Sequence, residues 1–315
     1  MEKNIGPPRN KKRSFLTTLN KHKHKYVMLA PAVIMIFIFN YIPLWGWLMA
    51  FKAYRVGKGL MSSEWVGLTN FKKFFTMGND YAYLLRNTLV INIVQMLLAI
   101  GCAMLFAILL NELRNRIYMK TVQTVSFFPF FISWVIVYAI VNAFLAIDSG
   151  AVNQTLVKLG IIEKGINFLA SKDYAWGLTW FLMLWKYIGY NSVIYLAAIT
   201  GISPELYESA SIDGAGRFQK VLFITLPHLA PTMIVILIIQ SGTLLRSGLD
   251  YFWLFTNPHN WQKMEVLDMY IYRFGLQNGN FSYATAVGIL LTTVSLTLVL
   301  GTNALSRKLT DKSIL

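Results

Sequence analysis

ESASIDGAGRFQKVLFITLP, residues 208–227, is a long polar stretch that reads neither as a membrane span nor as an ordinary connector. Just ahead of it, Ser203 and Pro204 supply an N-cap and a first helical residue, and Glu205 puts an acid in the first turn, where the helix dipole favours one. The spacing predicts a short helix through Leu206, Tyr207 and Ala210. It stops at Asp213-Gly214, because glycine takes the left-handed conformation a sharp bend needs. A second short helix over residues 217–224 is expected to end at Pro227 and feed the next apolar run. The expectation is helix, glycine bend and helix, set between two membrane segments.

The apolar runs on either side decide the class. The chain is 56% hydrophobic and 14% charged, against about 25% charge in a soluble domain. Residues 27–51, 87–111, 121–147 and 274–306 are free of charge, and each run exceeds the ~20 residues that cross a bilayer as helix. Residues 221–245 are interrupted only by His228, and 174–202 carry the single charge Lys186. Backbone groups in lipid must bond internally, so these runs are helices. The reading is an all-α membrane protein with six spans, near 27–51, 85–110, 121–146, 174–200, 229–254 and 282–305.

Residues 1–26 form a basic tail, with eight Lys/Arg against one acid before position 26. Directly ahead of an apolar run, such a tail is a cytoplasmic segment held near anionic lipid rather than a nucleic-acid arm. It places the N-terminus inside, and six spans return the C-terminal tail, 307–315, to the same side, where Arg307, Lys308 and Lys312 agree with the positive-inside rule. Lys52, Arg55, Lys58, Lys72 and Lys73 in the first outer loop run against it. The first span is too long for a signal peptide and lacks a small-residue cleavage site. Cys102, alone, can build neither a disulfide nor a metal site.

The 208–227 stretch resembles the "EAA" signature of binding-protein-dependent ABC importer permeases: Glu-Ala-Ala, Asp-Gly-Ala, then, with nine residues between it and the glycine, Ile-x-Leu-Pro. Glu208, Ala210, Asp213, Gly214, Ala215, Ile224, Leu226 and Pro227 fall in register, Ser209 replaces the first alanine, and Val221 stands where the family often has Phe. Trp65-Val66-Gly67-Leu68 with Asn70-Phe71, and Tyr41-Ile42-Pro43…Gly46…Ala50-Phe51-Lys52, are similar to the maltose-permease-like branch, which serves sugars and complex carbohydrates. The resemblance implies a six-helix permease domain over 27–306 of the type I importer kind, in a bacterial plasma membrane. It further implies that segment 203–227 is a cytoplasmic coupling loop in which Glu208 touches an ATPase and Gly214 permits the bend. The implied partners are a second, related permease subunit, two ATP-binding subunits, an extracytoplasmic solute-binding protein and a carbohydrate.

Candidates for the solute path come from spans four and five. Span four carries Trp176, Trp180, Trp185, Lys186, Tyr187, Tyr190, Asn191 and Tyr195. Rings beside hydrogen-bonding groups suit sugars, and an intramembrane lysine faces a cavity or a partner; the rival reading is an interfacial aromatic belt with Lys186 snorkelling to the surface. Lys186 and Tyr190 share one helix face, Tyr187 and Asn191 an adjoining one. Span five ends in Gln240, Thr243, Arg246, Ser247 and Asp250. Arg246 and Asp250 either pair at a spacing of four or reach across to a second permease half, and Tyr251 and Trp253 fit an outer belt. Pro129 should kink span three.

No GxxxxGK[ST] phosphate loop, paired carboxylates, nucleophile–base set or metal cluster is present in the sequence. The expectation is therefore no catalytic residue and no cofactor bound by this chain, with ATP and Mg²⁺ on a partner subunit. The alternative is a stand-alone secondary transporter or channel. Such proteins show inverted repeats and mid-membrane ionisable groups, and a cytosolic docking loop would have no purpose in one.

Overall fold

The computed structural model describes residues 22–76 and 80–310, so residues 1–21 of the basic tail and 311–315 of the C-terminal tail lie outside the described residues. Among the described residues no strand forms; a single antiparallel bridge joins Lys52 to Trp65. Helix α1 (Lys23–Phe51) passes through a π turn at Phe37–Tyr41 into a 3-10 segment at Ile42–Phe51. Its apolar window is not buried by the rest of the chain. Only the 3-10 end packs substantially, against α2 (Thr69–Thr76) and α13 (Phe281–Thr310).

The centre of the bundle is the pair α3 (Asp80–Asn111) and α7 (Ala175–Thr200). Ala103 and Ala107 are fully buried at spacing four against Tyr195 and Ile199, the close approach that small side chains allow in lipid. Helix α7 has the length of a span, but its tryptophans, tyrosines and Lys186 leave it less apolar than the four helices that stand out as spans: α1, α3, α9 (Arg217–Ser241) and α13.

Two expected spans take a different form. The one expected over 121–146 is two helices, α4 (Arg116–Phe131) and α5 (Trp134–Leu145), meeting at 103°. Helix α4 starts earlier because the Asn115 side chain accepts from Ile117 and Tyr118 N–H at 2.9 and 3.2 Å. It ends in a 3-10 turn at Phe128–Phe131 that holds Pro129, and Ser133 accepts from Ile136 N–H to start α5. The span expected over 229–254 lies further toward the N-terminus, because α9 continues without a stop from Arg217 to Ser241. A π turn at Val221–Thr225, with Leu226 N–H bonded to Val221 O, opens the ladder just before Pro227, so the proline does not end the helix. The chain then breaks over 242–248 between two glycines, Gly248 at φ 81°.

After the break, α10 (Leu249–Phe255), α11 (Trp261–Met264) and α12 (Leu267–Tyr272, prolonged by a π turn at Arg273–Gln277) fold over α3, α5 and α13. Tyr251, expected in an interfacial belt, is 2% exposed and donates to Thr179 Oγ1 at 2.9 Å. It is core, stacked on Phe255 and packed edge-on to Trp134.

Candidate functional site

The polar stretch folds as a hairpin of helices. Helix α8 (Pro204–Ile212) has Ser203 at its N-cap, although the Ser203 hydroxyl makes no cap bond. Its C-terminus closes with two bonds, Gly214 N–H to Ser211 O at 3.1 Å and Ala215 N–H to Ala210 O at 2.8 Å. This is the Schellman pattern, which needs the left-handed residue that Gly214 supplies at φ 80°. An added Cβ at Gly214 meets nothing within 4 Å, so backbone conformation alone fixes the glycine. Gly216 N–H donates to Gln219 Oε1 at 2.7 Å, Lys220 Nζ to Ser211 Oγ at 2.5 Å, and Tyr207 and Thr225 hydroxyls meet at 2.9 Å. The first caps α9, and the other two tie α8 to the start of α9.

Of the signature residues, Glu208, Ser209, Asp213, Gly214 and Pro227 are exposed, while Ala210, Ala215 and Ile224 are half-buried against the hairpin. Three apolar side chains the sequence reading passed over stand out beside them: Ile212 is 87% exposed, Phe218 78% and Phe223 70%. Exposed apolar side chains grouped in this way mark a surface for contact with another protein or with lipid.

The second group of candidates separates. Lys186 is 4% exposed. Its ammonium donates to the carbonyls of Pro129 at 3.0 Å and Phe130 at 3.2 Å, and also to that of Ile132. These are carbonyls at the end of α4, of which that of Pro129 also accepts from Ile132 N–H at 3.2 Å, and the Trp134 ring lies 5.2 Å from Nζ. Lys186 therefore neither lines an open cavity nor snorkels; it closes the α4–α5 break. One turn on, a Cβ at Gly189 would come within 2.2 Å of Ser126 O, so glycine is what lets α7 lie against the same break. Tyr187 is half-buried, edge-on to Phe130 and Trp134. Tyr190 stacks on Phe130 at 4.1 Å between centroids and is exposed beyond it, and Asn191 is half-buried.

The break at 242–248 is closed by the opposite charge. Asp268 Oδ2 accepts from the N–H of Ser247 at 2.7 Å and of Gly248 at 3.1 Å, and Asn92 donates to Leu244 O and Ser247 Oγ. Thr243 donates to Gln240 O, and Arg246 is exposed. Arg246 and Asp250 do not pair. The one ion pair among the described residues joins Arg273 to the 2%-exposed Glu265 at 2.9 Å, with Tyr83 donating to the same carboxylate at 2.7 Å. Burial pushes the Glu265 carboxyl above the usual carboxylate range, while Tyr83 and Arg273 act the other way.

Two depressions adjoin these breaks and share Tyr272. One, of about 390 Å³, is lined by Ser133, Trp134, Asp250 and Trp253. The other, of about 540 Å³, is lined by Trp47, Arg246, Asp268, Phe281, Thr285 and Thr292. Both combine rings with hydrogen-bonding groups.

Residues 95–311 match a family described as binding-protein-dependent transport system inner membrane component. The chain belongs to this family. Among related permeases, the polygalacturonan/rhamnogalacturonan transport system permease protein YteP of Bacillus subtilis (strain 168) is 38% identical over 306 residues, covering 97% of this chain and 94% of that protein. A bacterial ABC transporter involved in the import of the acidic polysaccharide alginate superposes with a TM-score of 0.86 at 36% identity, covering 94% of this chain and 99% of that one. The alginate transporter in complex with its alginate pentasaccharide-bound periplasmic protein gives a TM-score of 0.87 at 35% identity, covering 95% and 99%. This permease is thus an all-helical inner-membrane protein, and as such not an enzyme by itself.

Sequence reasoning missed Gly189, Asp268 and Trp134 as parts of the site. For the first break a signal was present: Pro129 followed four residues later by Ser133 is a helix end followed by an N-cap. Asp268 carried no such signal, since it acts on backbone N–H groups 20 and 21 residues away.

Proposed function

We propose that this permease is one half of the membrane path of an ATP-driven importer for oligosaccharides or polysaccharide fragments, handed over by an extracytoplasmic binding protein. The observation that carries the reading is the α8–α9 hairpin: exposed Ile212, Phe218 and Phe223 beside Glu208, on a helix continuous with a span. The hairpin docks on an ATP-binding subunit in the cytoplasm, with both chain termini on the same side. ATP and Mg²⁺ belong to that subunit, and the chain itself binds no cofactor. ATP-driven closure of two such subunits displaces the hairpin; because α9 has no stop at Pro227, the displacement passes directly into the bundle. A second, related permease covers the apolar faces that this chain leaves open and completes the path. YteP serves polygalacturonan and rhamnogalacturonan and the superposed transporter alginate, which supports a carbohydrate solute. Glu208, Ser209, Ala210, Asp213, Gly214, Ala215, Ile224 and Pro227 form the coupling site. Thr243, Arg246 and Ser247 belong to the solute path, as do Tyr187, Tyr190 and Asn191, and Lys186 serves the path only by holding its wall.

Expression with the ATP-binding subunit tests this. The reading expects the two to co-purify and uptake to require ATP. Uptake that persists without ATP would instead support a stand-alone transporter.

A further inference from the structure

Resting on the reading of this chain as a carbohydrate permease, we propose that Arg246 is a carboxylate anchor in the solute path, selecting oligosaccharides that carry uronic acid units. Its guanidinium stands exposed on the turn after α9, and no described carboxylate lies within 4 Å of it, although Asp268 lines the same depression. Asp268 is engaged elsewhere, by the N–H groups of Ser247 and Gly248. A cation within a membrane bundle needs a counter-charge, and a guanidinium offers a carboxylate two parallel donors.

The rest of the depression fits a sugar ring. Trp47, Tyr272 and Phe281 supply apolar faces. Thr285 and Thr292 donate their own protons to Phe281 O and Gly288 O, which leaves their lone pairs to accept from sugar hydroxyls. A Cβ at Gly288 would meet nothing within 4 Å, so the wall there is open. The neighbouring depression beyond Tyr272 carries rings and Asp250, an acceptor for the hydroxyls of an adjoining unit.

A separate observation points the same way. Phe281 lines the Arg246 depression and Ser282, the next residue, lines a polar depression of about 320 Å³ that holds Arg55 and Lys73. Residues 52–76 carry Lys52, Arg55, Lys58, Lys72 and Lys73 against Glu64 alone. Lys52 is spent on the carbonyls of Leu60 and Met61, and the other four have no carboxylate within 4 Å among the described residues. Cationic groups therefore run from this loop toward Arg246 along the α1–α13 seam, a field that concentrates anionic solutes.

The test is equilibrium binding of labelled trigalacturonate, and of its carboxyl-reduced neutral counterpart, to the purified assembled transporter at low and high salt. The wild-type complex is expected to prefer the acidic trisaccharide by on the order of tenfold or more, the effect of one charge-assisted contact, and to lose that preference in high salt. Arg246→Gln should abolish the preference, the loss falling mainly on the acidic trisaccharide, and Arg246→Lys should keep part of it. No preference in the wild type, or one that survives Arg246→Gln, overturns the assignment. A complex that loses its second permease on Arg246→Gln also overturns it, by assigning the cation to a partner carboxylate. ATP hydrolysis stimulated by the binding protein is read in the same preparations. Its absence from the wild type counts against the importer reading itself, whereas its presence without acidic preference counts against Arg246 alone.

Discussion

Lys186 and Asp268 do the same work with opposite signs. A helix interrupted inside a bundle leaves carbonyls at one end and N–H groups at the other, and lipid supplies no water to satisfy them. Lys186 answers the carbonyls of the α4–α5 break, and Asp268 the N–H groups of the 242–248 break. Lys186→Met keeps the aliphatic stem but takes the ammonium donor from the carbonyls of Phe130 and Ile132, while Pro129 O keeps the Ile132 N–H. At about 1–3 kcal/mol per orphaned group, thermal unfolding of the purified protein should show a loss of roughly 3 kcal/mol or more, with relative affinity for different sugars unchanged. A stable variant with altered sugar preference would return Lys186 to the solute path. Gly189→Ala should be destabilising too, because the Ser126 carbonyl stands where the methyl would go and backbone gives way poorly. That Lys186 mattered was legible from a lone charge in an apolar run. What it met was not, since its partners exist only once the chain has broken 54–57 residues earlier.

Among the elements, the hairpin was the most legible, because its geometry is local. Proline at N1, an acid in the first turn and Asp-Gly at the bend each act within a few residues, and α8 and its glycine stop lie where those signals put them. The run of α9 through Pro227 was not legible, since a π turn depends on how the ladder is threaded rather than on composition. Gly214 gives a clean test, because space around it is open and only φ is demanding. Gly214→Asn should retain most uptake, as asparagine enters the left-handed region, whereas Gly214→Val should insert normally and lose uptake. Equal uptake by both would show that the bend carries no coupling. Phe218→Ser probes the docking face separately: co-purification with the ATP-binding subunit should fall, while thermal stability of the isolated permease should not, as the ring is 78% exposed.

For the molecule as a whole, the class was legible from composition, while the way the segment after 248 closes over the bundle was not. That closure depends on residues distant in sequence. Asn87 donates to Gln262 O and Glu265 O, Leu267 N–H donates to Thr88, and Glu265 itself is held by Tyr83 of α3 and Arg273 of α12. Glu265 is the costly member, a carboxyl at 2% exposure whose proton affinity burial has already raised, with Asp80 adding to the effect. A carboxyl whose folded pKa lies above its unfolded value contributes stability that is present at low pH and lost as pH rises through the folded pKa. Arg273 limits that loss by pairing with the ionised form. Arg273→Met removes the pairing, leaves the carboxylate uncompensated and raises its pKa further, so the loss should deepen. Glu265 is buried but Arg273 is 37% exposed, so water screens part of the loss, which is on the order of 1–3 kcal/mol. The thermal midpoint of Arg273→Met should therefore fall well below wild type near pH 8, and the difference should narrow toward pH 5 as Glu265 becomes easier to protonate. Adding Glu265→Gln to Arg273→Met should flatten the pH dependence, because the neutral amide needs no counter-charge. A single variant equally destabilised at both pH values would mean that Arg273 holds the closing segment through its packing on the Tyr270 and Phe274 rings rather than through its charge.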